Sequence, residues 1–281
     1  MSLSKQIIAY IKITRPLNVV ITFFVVVVAI LISQKEQTDF YVILLASITA
    51  ALVAAAGNIV NDIFDIETDK ISHQDRVLVL GKISKTEAWT EYILLNSISI
   101  VISVSLAVKL MVVVLGTIIL LYIYSAALKK LPLIGNLTIA FLTGLTFIYG
   151  GYAAGNPVAA IVPAVFGFLI NLIREIVKDI LDIEGDNKLN YRTLPIKFGI
   201  DKSKKLIILI TLILIVFTVY PFLTEIYHIE YFIIVMVFVN PLLILCLKLL
   251  FNRKKATGIT VVSNLLKLTM VLGLVAIYFG K

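Results

Sequence analysis

The chain has 281 residues, 60% of them hydrophobic and only 15% charged, against roughly 25% charged in soluble domains. Its formal net charge is +8; one cysteine excludes an intrachain disulfide, and two histidines, His73 and His228, are too few and too scattered for a histidine metal site. These values exclude a soluble globular enzyme, and they assign the positive charge to loops at a membrane surface rather than to a nucleic-acid partner.

A helix needs about 20 mostly apolar residues to cross a bilayer. The sequence predicts such spans over 16–33, 41–61, 91–108, 110–128, 133–154, 157–178, 205–223, 230–250 and 258–279. The first follows Lys5, Lys12 and Arg15, and ends in Ser-Gln-Lys-Glu rather than a small-residue cleavage site, so it reads as a retained span and not a signal peptide. Lys109 marks the turn between the third and fourth spans, and Gly155-Asn156-Pro157 the turn between the fifth and sixth. Cys246, in an apolar run, is expected to serve packing. No span is conspicuously broken.

With the N-terminus in the cytoplasm, all but four of the 25 lysines and arginines fall on the cytoplasmic side. The four are Lys35, Lys109 and Lys281 outside, and Lys267 within the ninth span. The reading is therefore an all-α, multi-pass membrane protein in the cell membrane, N-terminus in and C-terminus out. It forms one domain of two related halves, about 1–130 and 131–250, with a ninth helix over 258–279. Lys254 and Lys255 are expected only to set topology. Two connections, 62–90 and 179–204, are long; both follow acidic span ends.

The first of these ends, Asn58–Asp69, carries polar residues Asn58, Asn61, Asp62, Asp65 and Asp69 at steps of three and four, which predicts one polar helix face opposite Ile59, Ile63 and Ile66. Stacked carboxylates repel, so such a helix end needs a cation. The segment Asp62-Ile-Phe-Asp-Ile-Glu-Thr-Asp69 returns as Asp179-Ile-Leu-Asp-Ile-Glu-Gly-Asp186, 117 residues later. The echo continues: Arg76, Gly81 and Lys85 after the first copy match Arg192, Gly199 and Lys202 after the second.

Oxygen-only ligand sets suit Mg²⁺, which commonly bridges carboxylates to substrate phosphates. Arg76, Lys129, Arg174, Lys178 and Arg192 supply cations for phosphate oxygens, and Glu175 continues the three-four stepping of the second copy. The apolar spans behind point to a diphosphate with a long hydrocarbon tail. Tyr122 and Tyr124 serve either this site or an interfacial aromatic belt. Asn136, Asn171, Asn240 and Asn264 read as interhelical hydrogen-bonding groups, with Asn171, one turn before Arg174 and Glu175, the one most suited to a functional role. Lys267 lies about nine residues into the ninth span, on the face of Asn264. It either snorkels to the interface or meets an anionic substrate group or an acidic cluster.

Asn61-Asp-x-x-Asp65-x-x-x-Asp69 and Asp179-x-x-Asp182-x-x-x-Asp186 resemble the two aspartate-rich motifs of the UbiA family of intramembrane prenyltransferases, and Tyr124-x-x-x-x-Lys129 resembles its tyrosine-lysine element. The opening Tyr10-Ile-Lys-Ile-Thr-Arg-Pro-Leu-Asn and the segment from Arg174 to Pro195 are similar to the archaeal lipid branch of that family, the digeranylgeranylglyceryl phosphate synthases. Where many members carry Arg-Pro after the first motif, this chain has Arg76-Val77. The resemblance implies nine helices around a central cavity open to the cytoplasm, with Asn61, Asp65, Asp69, Asp179, Asp182 and Asp186 binding Mg²⁺ and a prenyl diphosphate. It places Asp65, Asp182, Lys129 and Lys178 in catalysis. Substrate contacts would come from Asn58, Asp62, Arg76, Tyr122, Tyr124, Lys129, Asn171, Arg174, Glu175, Lys178, Arg192 and Lys267, with Lys188 beside Arg192 suited to an acceptor phosphate. The substrates implied are geranylgeranyl diphosphate and geranylgeranylglyceryl phosphate, in the lipid bilayer, with no obligate protein partner. The residues alone leave a hydroxyl acceptor and an aromatic ring acceptor both open. A cation-coupled transporter of repeated halves is the rival from another class; its ion site belongs near the bilayer midplane, on broken helices.

Overall fold

The computed structural model describes residues 3–189, 191–251 and 256–281. Among these residues all regular structure is helical, and nine helices are long and apolar enough to cross a membrane. Arg253, Lys254 and Lys255, part of the last basic loop, lie outside the described residues.

The helices run α1 Leu3–Ile13, α2 Pro16–Ser33, α3 Phe40–Phe64, α4 Ile66–Ser72, α5 Lys85–Leu106, α6 Val108–Ala126 and α7 Ile134–Ala153, followed by α8 Ile161–Leu181, α9 Ile183–Lys188, α10 Leu194–Phe198, α11 Ile200–Leu223, α12 Ile229–Ile234, α13 Asn240–Phe251 and α14 Ala256–Phe279. Single 3₁₀ turns stand at Leu128–Lys130 and Pro157–Ala160.

Four of the departures from the expected spans have a local cause. The third begins at Lys85, six residues early, because Ser84 and Glu87 form a capping box: each side chain takes the other's backbone N–H. The third and fourth spans divide at Ala107, which is extended, so that Lys109 sits inside the first turn of α6. The sixth span runs on to Leu181 and keeps Asp179 helical. The eighth is interrupted, against expectation, by a π-helical stretch at Val235–Val239 between α12 and α13. Asn240 follows it, exchanging hydrogen bonds with Thr218 and donating to Met236.

The chain divides into two compact units. One is Met1–Lys129 with Tyr149–Pro157; the other is Lys130–Ile148 with Val158–Lys281. In the first, α3 is the central helix and packs against α2, α5 and α6. One core cluster joins Ala9 and Ile13 of α1 to Ile59 and Ile63 of α3, Val77 and Ile83 of the following loop, and Ala88 of α5. A second joins Val26, Ile30, Ala46, Val53, Leu110, Val114 and Tyr149. The helix α1, absent from the predicted elements, buries Ala9 and Ile13 while Ile7, Ile8 and Ile11 stay exposed. In the second unit, α8 is the central helix and packs against α10, α11 and α14, with α13 and α12 also on α14. Cys246 is buried and unpaired, as its packing role requires.

Close approach in the first unit depends on Gly150. A Cβ there would stand 2.5 Å from the Cβ of Ala29 and 3.2 Å from the backbone nitrogen of Ile30. Gly150→Val is expected to lower stability by about 1–3 kcal/mol through overpacking, read as a lower melting temperature in detergent. An unchanged melting temperature would mean that α2 moves aside at no cost.

Candidate active site

The two acidic segments build the same backbone device. At Asp65 the helix α3 ends and α4 begins, with φ −95° and ψ 4°. At Asp182, 117 residues on, α8 ends and α9 begins with φ −94° and ψ 5°. The amides of Asp65 and Asp69 still donate to the carbonyls four residues back, at 2.9 and 2.7 Å, and those of Asp182 and Asp186 do so at 2.9 Å each. The polar residues therefore do not lie on one straight helix, as their spacing predicts. Each motif bends at its middle aspartate, so the last carboxylate sits on a new short helix. The echoing glycines also match: Gly81 and Gly199 both hold positive φ, 64° and 89°, which a side chain would strain.

In the first unit the carboxylates are met by cations. Lys129, carried by the 3₁₀ turn after α6, donates to Asp65 at 2.5 Å, and Asn61 donates to the other oxygen of Asp65 at 2.8 Å. Asp62 is buried and accepts from Arg15, with Arg76 at 3.5 Å on the same oxygen. Arg15 is held in the left-handed region at φ 54°, a conformation that costs a side-chain-bearing residue about 1–2 kcal/mol. Asn58 secures the same corner by donating to the Thr14 carbonyl at 2.8 Å. Asp69 is buried beside them. Desolvation, with a lesser push from Asp62 and Asp65, raises its carboxyl to about 6 against the pull of Arg76 and Arg15. Tyr122 is exposed and packs edge-on to Phe64, with Trp89 adjacent; Tyr124 is half-buried in the last turn of α6.

In the second unit the equivalent positions carry different groups. Asp179 accepts from Asn136 of α7 at 2.9 Å. Glu175, at the position of Asn58, is buried and takes both Arg174 and Lys178, each at 2.9 Å. Asn171 donates to Thr143 at 2.8 Å and to the Ile139 carbonyl at 3.3 Å. Asp182 and Asp186 are half-buried. Arg192 is exposed; its backbone amide donates to the Lys130 carbonyl at 3.0 Å. Lys188 is exposed, and Lys267 on α14 lies within electrostatic reach of Arg174 and Lys178.

Among the described residues, no three His, Cys, Asp or Glu side chains gather as a ready-made metal cage. Like carboxylates repel, and here Asp62 and Asp65 satisfy themselves with cations. The donors are nonetheless all oxygen on both motifs, the set a hard cation such as Mg²⁺ takes. Sequence reasoning treated Arg15 as a topology signal and Asn136 as a helix-packing group; the structure puts each on a motif carboxylate. Neither Arg15 nor the lone Asn136 held a signal for that in the sequence, since both contacts are long-range.

The sequence profile of the UbiA prenyltransferase family matches residues 21–276. The chain belongs to this family. A digeranylgeranylglyceryl phosphate synthase from Thermococcus sibiricus is 36% identical over 212 residues, 75% of this chain and 76% of that protein. A solved structure of a digeranylgeranylglyceryl phosphate synthase superposes with a TM-score of 0.81 at 31% identity, covering 98% of each chain. A UbiA homolog from Archaeoglobus fulgidus, solved with GPP and Mg²⁺, shares the fold with a TM-score of 0.69 at 19% identity, over 96% of this chain and 99% of its own. As a UbiA prenyltransferase the chain is a multi-pass membrane enzyme, and the transporter reading is set aside.

Two outcomes are expected. Asp62→Asn strands Arg15 and Arg76; because both guanidinium groups are partly exposed, the loss is about 1–2 kcal/mol, seen as a lower melting temperature. A wild-type melting temperature would reduce the bridge to a solvated pair. Asp69 binds its proton more tightly folded than unfolded, so without divalent metal, stability falls as pH rises from its ordinary value of 3.8 to about 6. Metal needs the ionised form, so stabilisation by Mg²⁺ should be larger at about pH 7.5 than at about pH 5.5. Asp69→Asn should flatten that difference; a difference that persists in the variant places the titrating group elsewhere.

Proposed function

We propose that this chain transfers a geranylgeranyl group from geranylgeranyl diphosphate to the free hydroxyl of geranylgeranylglyceryl phosphate, forming an ether lipid precursor with Mg²⁺ as cofactor. The observation that carries the reading is the similarity to digeranylgeranylglyceryl phosphate synthases along most of the chain. The oxygen donors of Asn61, Asp65, Asp69, Asp179, Asp182 and Asp186 would hold Mg²⁺, which when bound offsets the charge developing on the departing diphosphate.

The residues of the chain do the rest. Lys129 is already paired with Asp65 and exchanges that carboxylate for a diphosphate oxygen, with Lys178 and Arg76 as further phosphate-binding cations. The bond between the allylic carbon and the diphosphate oxygen breaks, and its electron pair stays on the diphosphate. The acceptor hydroxyl oxygen bonds the allylic carbon, and its proton passes to the diphosphate. The apolar walls of the spans exclude water from the allylic cation. The lysine and arginine distribution supports an N-terminus in the cytoplasm and a C-terminus outside the cell membrane, with the acidic motifs on the cytoplasmic side. Transfer to an aromatic acid is the second reading, supported by family membership alone.

Purified protein given geranylgeranyl diphosphate should prenylate geranylgeranylglyceryl phosphate far faster than 4-hydroxybenzoate, and chelation of Mg²⁺ should abolish turnover. Asp65→Asn and Asp182→Asn are each expected to lower turnover by about 100-fold or more while the chain still folds. Mass spectrometry showing only prenylated aromatic acid would move the enzyme to the second reading.

A further inference from the structure

The helix α1 carries three kinds of surface around its circumference. Its inner face holds Ala9 and Ile13, both buried in one cluster with Ile59 and Ile63 of α3 and Ala88 of α5. Tyr10 secures the same side by donating to Glu87 of α5 at 3.1 Å, and the Thr14 carbonyl just beyond the helix accepts from Asn58 at 2.8 Å. The rotation of α1 about its own axis is therefore fixed. At about 100° per residue, Ile7, Ile8 and Ile11 share an arc of about 100° turned away from that inner face. They are 51%, 62% and 54% exposed. Lys5 and Lys12 come next to Ile8, on the side of the helix opposite Tyr10.

Three adjacent isoleucines facing water are unfavourable, and at 11 residues α1 is too short to cross a bilayer. What covers them follows from where the helix is attached. Only Thr14 and Arg15 separate it from α2, a span that begins at Pro16. The first turns of α2 expose Leu17, Val20 and Ile21, so a lipid-facing surface starts at the same level. The buried partners of α1 lie near the end of α3, in the loop carrying Val77 and Ile83, and in the first turn of α5, all at that boundary. The charge of α1 suits it: two lysines and no carboxylate. A second copy is a poor partner, because a self-complementary contact would set the same lysines against each other. A layer of anionic headgroups takes the isoleucines below it and the lysines within it.

We propose that α1 is an interfacial helix that docks on the anionic lipid surface of the leaflet where α2 begins. Ile7, Ile8 and Ile11 enter the boundary between headgroups and acyl chains, and Lys5 and Lys12 lie among the lipid phosphates. The helix leads directly into the corner at which Arg15 meets Asp62, so lipid that seats α1 also steadies that ion pair.

The test uses the full chain in nanodiscs of phosphatidylcholine, alone or with about 30% phosphatidylglycerol to supply negative charge. A spin label is placed through Ile8→Cys or, as the water-facing reference, through Lys12→Cys, with the buried Cys246 replaced by alanine. Collisions with oxygen report contact with acyl chains, and collisions with a water-soluble nickel chelate report contact with water. In the mixed bilayer the label at Ile8 should meet oxygen and be shielded from the chelate about fivefold or more relative to the label at Lys12. Omitting phosphatidylglycerol, or combining Lys5→Gln with Lys12→Gln in the mixed bilayer, should raise chelate contact at the Ile8 label about twofold or more. Ile11→Cys repeats the measurement on the same arc should Ile8→Cys fail to fold. Equal chelate access at the two sites overturns the docking, and so does shielding at Ile8 that ignores both lipid charge and the lysines. Spin–spin broadening at Ile8 that disappears on dilution with unlabelled chain assigns the face to a second copy and overturns it as well.

Discussion

An ionised side chain in an apolar chain must find a counter-charge or leave the membrane, and the candidate site is organised by that constraint. Asp62 and Asp65 stand where α3 gives way to α4, the first buried and the second half-buried. Their partners come from separate segments: Arg15 from the corner before α2, Arg76 from the loop after α4, Lys129 from the turn after α6. Each of these segments is irregular or strained where the cation is delivered. Arg15 holds a left-handed backbone, and Lys129 stands on a single 3₁₀ turn. The packing of α1 against α3 and α5 through Ile13, Ile63 and Ala88 keeps that corner in place.

The internal repeat conserves backbone more strictly than charge. Asp65 and Asp182 share a bend to within a degree or so, because both sequences place an aspartate and then an isoleucine where the helix restarts. The flanking positions have diverged. Asn58 has become Glu175, and Asn61 has become Lys178, so the second copy carries its own ion pair within one helix. Asp62 is bridged by arginines, whereas Asp179 accepts from the neutral amide of Asn136. One unit thus balances its carboxylates with cations from distant segments, and the other pairs a buried glutamate with two cations of its own helix.

Much of this was legible in the sequence. Nine apolar runs specify nine spans because hydrocarbon thickness leaves little freedom in helix length. The repeated acidic octapeptide located the acidic motif of each unit, since such residues are too costly in apolar spans to be incidental. The capping box at Ser84 and Glu87 was equally readable and would have set the start of α5 correctly.

Composition and spacing by themselves determined the class of the protein, its span count and the oxygen-rich chemistry of its motifs, all of which follow from local pattern and hydrophobicity. Only the tertiary structure decided which cation meets which carboxylate. Arg15 reaches Asp62 across 47 residues and Asn136 reaches Asp179 across 43, and no periodicity encodes a contact of that kind. The bends at Asp65 and Asp182 were likewise hidden, because the residue pattern continues smoothly through them while the backbone does not.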